Sequence, residues 1–271
     1  MLNVNAYLRS LILDPNGFYT PTSLRVPHAL GVLFHLLRRV ADHQVREYGR
    51  SMYWQGGVGV ECLVPSPANF IGEAGGNSVD LQIGLERLRA DYIGDFHVHP
   101  YAEKYGPGIS IAPSNGDWDV WWQNPPAGRN VAVHFVASGD DLFLVVFRRL
   151  PVGALIYNNV TSDAGRLNQA VMDWDDRQQG TYADLLQRGQ WAELRRFLNT
   201  TSPRLTSMHR DDAHSMNIGL ANANRCEYFK GTLHNGASTL YLASERVLGN
   251  WFTSNFWSTS NQPWLNFWPF A

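Results

Sequence analysis

The chain has 271 residues, 44% of them hydrophobic and 17% charged, so it can bury a core and does not have the composition of a disordered segment. A formal net charge of −2 and a pI near 6.5 argue against nucleic acid as a partner, because there is no basic excess to neutralise phosphates. No apolar run approaches the roughly 20 residues that span a bilayer, and Met1–Thr20 lacks a signal-peptide pattern. The expectation is a cytoplasmic chain with no membrane partner, specialised secretion being left open.

In chain order, the first clear element is an amphipathic helix over Val26–His43, with Pro27 in a first-turn position. A hairpin is expected next, with strands near 48–54 and 57–63 and its break at Gln55-Gly56-Gly57. Residues 65–79 read as loop and Asp80–Ala90 as a short helix. Tyr92–His99 reads as a strand, followed by a Gly/Pro-rich loop over 100–113. Ser114 then caps a helix of about ten residues that ends at Pro125 and Pro126, with Asp117 placed close to a capping box. Strands are expected over Val131–Ala137 and Leu142–Phe147, and a third over Val152–Val160.

Beyond residue 160 the texture changes. Helices are expected over Ser162–Trp174 and over Thr181–Leu198, the latter capped by Thr181. The last 21 residues hold four Trp and four Phe and read as packing against the body of the protein. The polar run His209, Arg210, Asp211, Asp212, His214 reads as a solvated turn or helix face. The fold class is therefore α/β (α+β), a mixed sheet flanked by helices. Residues 1–160 form the expected first domain and 161–271 a mostly helical or irregular extension. Cys62 and Cys226 are in no metal spacing and read as two reduced thiols. Lys104 and Lys230 are the only lysines among 22 basic residues, which codon bias explains and avoidance of lysine-modifying machinery would also explain.

The chemistry concentrates in Gly94–Asp117. His97 and His99 are two apart, so a strand places both imidazoles on one face, where they can share an ion. Neutral imidazole suits zinc, and a catalytic zinc site takes three protein ligands and keeps one open position. Asp117 is the natural third ligand. Ser114, three residues earlier, projects from the same helix end and is available to hydrogen-bond a bound oxygen. Asp95 alternates with His97 and so is placed to support it from the same face. His134, on a strand, reads as a satisfied core or supporting residue.

His97-Val98-His99-Pro100 followed by Ser114-Asn115-Gly116-Asp117 resembles the H-x-H-P … S-x-x-D signature of the JAB/MPN (JAMM) metalloprotease family. The resemblance covers roughly residues 25–160, in the order helix, strand pair, ligand strand, ligand helix and further strands. The spacer between His99 and Ser114 is longer than the family's usual one, with the surplus in Tyr101–Gly108 and a lid or substrate-selecting role as one reading of it. The resemblance implies a JAB/MPN-like fold, a Zn²⁺ ion held by His97, His99 and Asp117, and a glutamate as general base. Glu47, directly after the first helix, and Glu61, on the second hairpin strand, compete for that role, with order and context favouring Glu47. Ser114 would then stabilise the oxyanion.

The implied activity is hydrolysis of a peptide or isopeptide bond in a protein or peptide substrate, a ubiquitin-like C-terminus among the candidates. Two other readings stand beside it: a secreted effector or toxin with the same protease chemistry, and a non-catalytic scaffold of the same fold. Bound zinc discriminates the last. Oligomeric state is not legible.

Overall fold

The computed structural model describes residues 1–16, 19–44, 46–57, 60–72, 79–100, 112–149, 153–157, 175–190, 193, 196–197, 200–201 and 203–246, with backbone alone at 57, 60, 186 and 203–212. The described elements are β1 (Leu2–Asn3), α1 (Val4–Leu13), β2 (Ser23–Arg25), α2 (His28–Gln44), β3 (Tyr48–Gly57), β4 (Val60–Pro65), β5 (Phe70–Ile71), α3 (Ile83–Glu86), β6 (Tyr92–His99), α4 (Asn115–Gln123), β7 (Ala132–Ser138), β8 (Asp141–Phe147), α5 (Asp176–Gln187), α6 (Pro203–Ala223), β9 (Glu227–Thr232) and β10 (Thr239–Leu242). The strands form one mixed sheet in the order β1-β2-β10-β9-β8-β7-β6-β3-β4, with β5 paired to β3. β6 and β7 run parallel, as do β1 and β2; the other neighbours are antiparallel.

Both faces of the central strands are covered, which is why β6 and β7 are buried at every position. On one face α1 contributes Val4, Tyr7, Leu8 and Leu11, and α2 contributes Leu30, Phe34 and Leu37. They meet the odd-numbered side chains of β7, Val133 and Phe135, and the stacked pair Phe34–Phe96. On the opposite face, Trp118 and Trp121 of α4 and Met216 and Leu220 of α6 cover Val136, Val145 and Phe147. The apolar side chains of β7 and β8 alternate between the two clusters with the two-residue period of a strand.

β6 carries an irregularity that matters for the site. Its register against β3 shifts, Met52 facing Gly94 while Tyr53 faces Tyr92. Tyr92 packs on the α4 side, Ile93 on the α2 side, and beyond the bulge Phe96 and Val98 stay on the α2 side. Asp95, His97 and His99 are thereby turned toward α4. Only glycine fits at 94, because a Cβ there would lie 1.7 Å from the Val133 carbonyl oxygen.

Several expectations change. α1 and β1 are elements the sequence reading did not propose. The Gln55-Gly56-Gly57 break lies inside β3, paired with Cys62, Glu61 and Val60, because cross-strand pairing overrides local turn preference. The 80–90 helix contracts to Ile83–Glu86. Residues 153–157 carry no strand, against the expected third strand. The helix expected from Thr181 starts five residues earlier, at Asp176. Asp175 is the residue that caps it, accepting from the Arg177 N–H at 3.0 Å, while Thr181 sits inside and donates its hydroxyl to the Arg177 carbonyl. The expected helix 162–174 and the aromatic tail 251–271 lie outside the described residues. Cys62 and Cys226 are free thiols, the first half-buried and the second buried. Among the described residues no helix is long and apolar enough to cross a membrane.

The sheet does not stop near residue 160. β9 pairs with β8, and β10 pairs with β9 and β2, so the chain's C-terminal region and its first 25 residues close one side of the same sheet. A fully buried polar cluster fastens this closure. The Glu227 carboxylate at the start of β9 accepts from the Tyr7 hydroxyl at 2.5 Å and the Thr20 hydroxyl at 2.6 Å, with Arg148 Nε 3.7 Å away.

Burial pushes the Glu227 carboxyl up, the Thr20 and Tyr7 hydrogen bonds and Arg148 pull it back, and it comes to rest at about 6, above the 4.5 of an ordinary glutamate. Between pH 4.5 and 6 the folded chain keeps a proton there that the unfolded chain has released. The associated stability is thus present below pH 4.5 and is lost as pH rises through 6, by about 2 kcal/mol. Urea denaturation from pH 4 to 7 is expected to show this falling contribution in wild type relative to Glu227→Gln; parallel profiles would refute the assignment.

Candidate metal centre

Three elements supply the site. β6 presents His97 and His99 from the sheet. β3 runs antiparallel to β6 with Tyr48 opposite Val98, so the preceding residue, Glu47, is carried alongside His99. α4, packed over the face toward which the histidines turn, brings in Asp117.

The first turn of α4 forms because Ser114 and Asp117 complete a capping box. The Asp117 N–H donates to Ser114 Oγ at 3.2 Å, and the Ser114 N–H donates to Asp117 Oδ2 at 2.6 Å. The Ser114 hydroxyl also donates to Oδ2, at 2.9 Å. Oδ2 is therefore held from two sides by Ser114, and Oδ1 is left facing His97 Nε2 at 3.2 Å. The serine hydroxyl, expected to be available to a bound oxygen, is engaged with the ligand carboxylate in this conformation.

His97 Nε2 and His99 Nε2 point at each other across 3.1 Å, and one ligand atom from each of His97, His99 and Asp117 lies within 4.8 Å of the others. Two imidazole nitrogens and a carboxylate oxygen converging on one point make a donor set suited to zinc. The electrostatics point the same way. Burial alone would lower the His97 pKa, but the charge and hydrogen bonds of Asp117, with Asp95 and Glu47, drive it well above its ordinary value. Burial would raise Asp117, yet His97, with His99 and the Ser114 backbone N–H, holds it far below the carboxylate range. The cluster is built to hold positive charge.

Glu47 is 3% exposed, and its Oε1 lies 3.8 Å from His99 Nε2. Burial raises its carboxyl to about 8, with Asp117 adding to the rise and His97 opposing it. Glu61 is directed elsewhere: it is partly exposed and pairs with Arg9 at 3.2 Å. Of the two acids weighed from sequence, Glu47 is at the cluster.

Behind His97 the site continues into the sheet. Asp95 is fully buried, with Oδ1 3.6 Å from His97 Nδ1 and Oδ2 2.7 Å from His134 Nδ1. Asp95 and His134 are direct partners in the parallel β6–β7 register, which is what joins them. Trp121 stacks on the His134 ring at 4.5 Å and Phe147 meets it edge-on at 5.5 Å.

One contributor had no sequence signal. Asn217 of α6 is fully buried and binds α4 from outside the first 160 residues. It accepts from the Trp118 indole N–H at 2.7 Å and donates to the Pro113 carbonyl at 2.8 Å, one residue before the cap. A single asparagine within a helix has no motif around it, and the contact spans 99 residues of sequence. For the polar run 209–214, the side chains of 209–212 lie outside the described residues, and His214 lies against the Tyr228 hydroxyl at 3.2 Å rather than at the cluster. The loop 101–111 also lies outside the described residues.

Comparison with protein-family models, curated proteins and solved structures returns no match.

Asn217→Ala removes both partners of α4 and leaves the Pro113 carbonyl and the Trp118 N–H without them. A loss of about 1–3 kcal/mol in urea denaturation is expected, and a change within a few tenths would show that α6 does not hold the ligand helix.

Proposed function

We propose that this chain is a zinc-dependent hydrolase of amide bonds, a peptidase or isopeptidase with JAB/MPN-like chemistry. One observation carries the reading: His97, His99 and Asp117 converge on one point beside the buried carboxylate of Glu47. A zinc ion bound there would supply Lewis acidity, acidifying water and polarising a carbonyl. His97 and His99 would hold it through Nε2 and Asp117 through a carboxylate oxygen.

The chain's own groups then divide the work. Glu47 receives the proton of the attacking water and returns it to the leaving amine. Its raised pKa suits a group that must both accept and release a proton near neutrality. Ser114 fixes the Asp117 carboxylate through its backbone N–H to Oδ2, and its hydroxyl, on leaving Oδ2, would be the nearby donor for charge developing on the carbonyl oxygen. Trp118 and Trp121 exclude water from the sheet side of the site. The substrate class is a protein or peptide, and the narrower candidate is the C-terminal tail of a ubiquitin-like protein.

Plasma mass spectrometry is expected to find about one zinc per chain in wild type and none in His97→Ala/His99→Ala, with circular dichroism unchanged. Absence of zinc from reconstituted wild type would overturn the reading. Glu47→Gln is expected to keep its zinc and lose about 100-fold or more in kcat on a peptide or isopeptide amide that wild type cleaves. Full activity in that variant would remove Glu47 from the mechanism.

A further inference from the structure

The Asp95–His134 pair presents a problem that packing alone does not solve. His134 is 1% exposed, enclosed by Trp121 and Phe147, and among the described residues its Nε2 has no hydrogen-bond partner. A leucine or phenylalanine would fill the same space without burying an unpaired nitrogen. Asp95 is 0% exposed, and its Oδ1 also lacks a hydrogen-bond partner, as does His97 Nδ1; these two atoms lie 3.6 Å apart. A buried carboxylate therefore bridges two imidazoles, one of them belonging to the proposed ligand set.

One hydrogen bond fixes the tautomer of His134, and one close approach favours the same tautomer in His97. An ionised carboxylate only accepts, so the 2.7 Å contact places the proton of His134 on Nδ1. The other carboxylate oxygen faces His97 Nδ1 and favours a proton there too. In neutral His97 that leaves the lone pair on Nε2, the nitrogen that points at the site. With Nε2 of His134 closed in by rings, the chain of contacts ends there and leads to no solvent-facing group. It is a support, not a path for protons.

We propose that Asp95 and His134 are positioning residues for metal binding: His134 holds Asp95 through its Nδ1–H, and Asp95 holds His97 in the tautomer and orientation that leave Nε2 free to ligate. This rests on the metal-site reading above and extends it to two residues that touch neither metal nor substrate. The sheet explains why the device is rigid. Asp95 and His134 are register partners on adjacent parallel strands, and Asp95 and His97 are two apart on one strand. The relation among all three is set by backbone pairing, not by loop geometry.

Two substitutions at 134 separate positioning from packing. His134→Asn keeps an N–H donor at the Nδ1 position and loses the ring. His134→Phe keeps the ring and loses the donor. The readout is the zinc dissociation constant from chelator competition, measured with free Zn²⁺ on the full chain, beside the melting temperature of each metal-free protein. His134→Phe is expected to bind zinc about 10- to 100-fold more weakly, and its melting temperature is expected to fall as well, because the buried Asp95 carboxylate loses its donor. His134→Asn is expected to stay within a few-fold of wild type in affinity (about threefold, below the range typical of lost supporting contacts) even where its melting temperature falls. The opposite ordering, or equal affinities, would overturn the proposal.

Asp95→Asn supplies a second arm should a variant at 134 fail to fold. Asparagine offers one acceptor and one donor, so one of the two rings must abandon its Nδ1–H. Zinc affinity is expected to drop about 10- to 100-fold. Nitrogen-detected correlation spectra of the metal-free protein, recorded at a pH where His97 is neutral, are expected to show His97 as the Nδ1–H tautomer in wild type and a changed tautomer population in the variant. Wild-type affinity in Asp95→Asn, or His97 found with its proton on Nε2 in wild type, would refute the proposal. Failure of wild type to bind zinc at all would instead refute the metal site itself.

Discussion

The arrangement depends on one close approach, that of the Gly94 backbone to the Val133 carbonyl. A strand buried on both faces must send every side chain into one core or the other, and a continuous two-residue alternation from Tyr92 would have sent Asp95, His97 and His99 among the leucines and phenylalanines of α1 and α2. The bulge at 93–94 changes the phase once. It gives Phe96 and Val98 to the apolar side and turns the three polar residues to the side where α4 brings a carboxylate. Without that phase change the same residues would be three unpaired polar groups in a hydrocarbon layer.

The polar residues are then stabilised by one another. Glu47, Asp95 and Asp117 surround His97; the burial that would disfavour Asp95 and Asp117 as carboxylates is offset by the imidazoles and by the helix cap, while the Glu47 carboxyl stays raised. The same fold handles a second buried carboxylate differently. Glu227 is fastened by hydroxyls and an arginine, lies on the α1 side, and joins the two chain ends. One cluster converges lone pairs on a point; the other consumes them in fixed hydrogen bonds. That contrast, more than burial or charge, separates a candidate site from a structural clasp.

Local pattern made the centre of the molecule legible. Tyr92–His99 reads as a strand, Ser114 reads as a cap, and the spacing from Ser114 to Asp117 gives the third side chain of the cluster. Position relative to α2 favoured Glu47, and the antiparallel register of β3 against β6 is the reason it lies beside His99. What was not legible is what distant pairing decides. Nothing local announces that Asp95 and His134 share a register, that Asn217 reaches Pro113, or that residues 227–242 enter the sheet beside 23–25. The Gly56-Gly57 pair misled because its turn signal was outweighed by three cross-strand partners, and Thr181 misled because Asp175 does the capping.

The position of β10 between β2 and β9 bears on how the molecule comes into being. During synthesis His97, His99 and Asp117 emerge long before Asn217, Glu227 and the β9–β10 pair, yet α4 is tied down by Asn217 and the sheet is closed by those strands. A nascent chain that has passed residue 160 holds every proposed ligand on an open-edged sheet with its ligand helix unfastened. Completion waits for the last quarter of the chain to return to the first 25 residues, a closure of high sequence separation and correspondingly slow formation. A hydrolytic centre fastened in this way would stay incompetent until residues 217–242 had emerged and packed on the rest of the sheet.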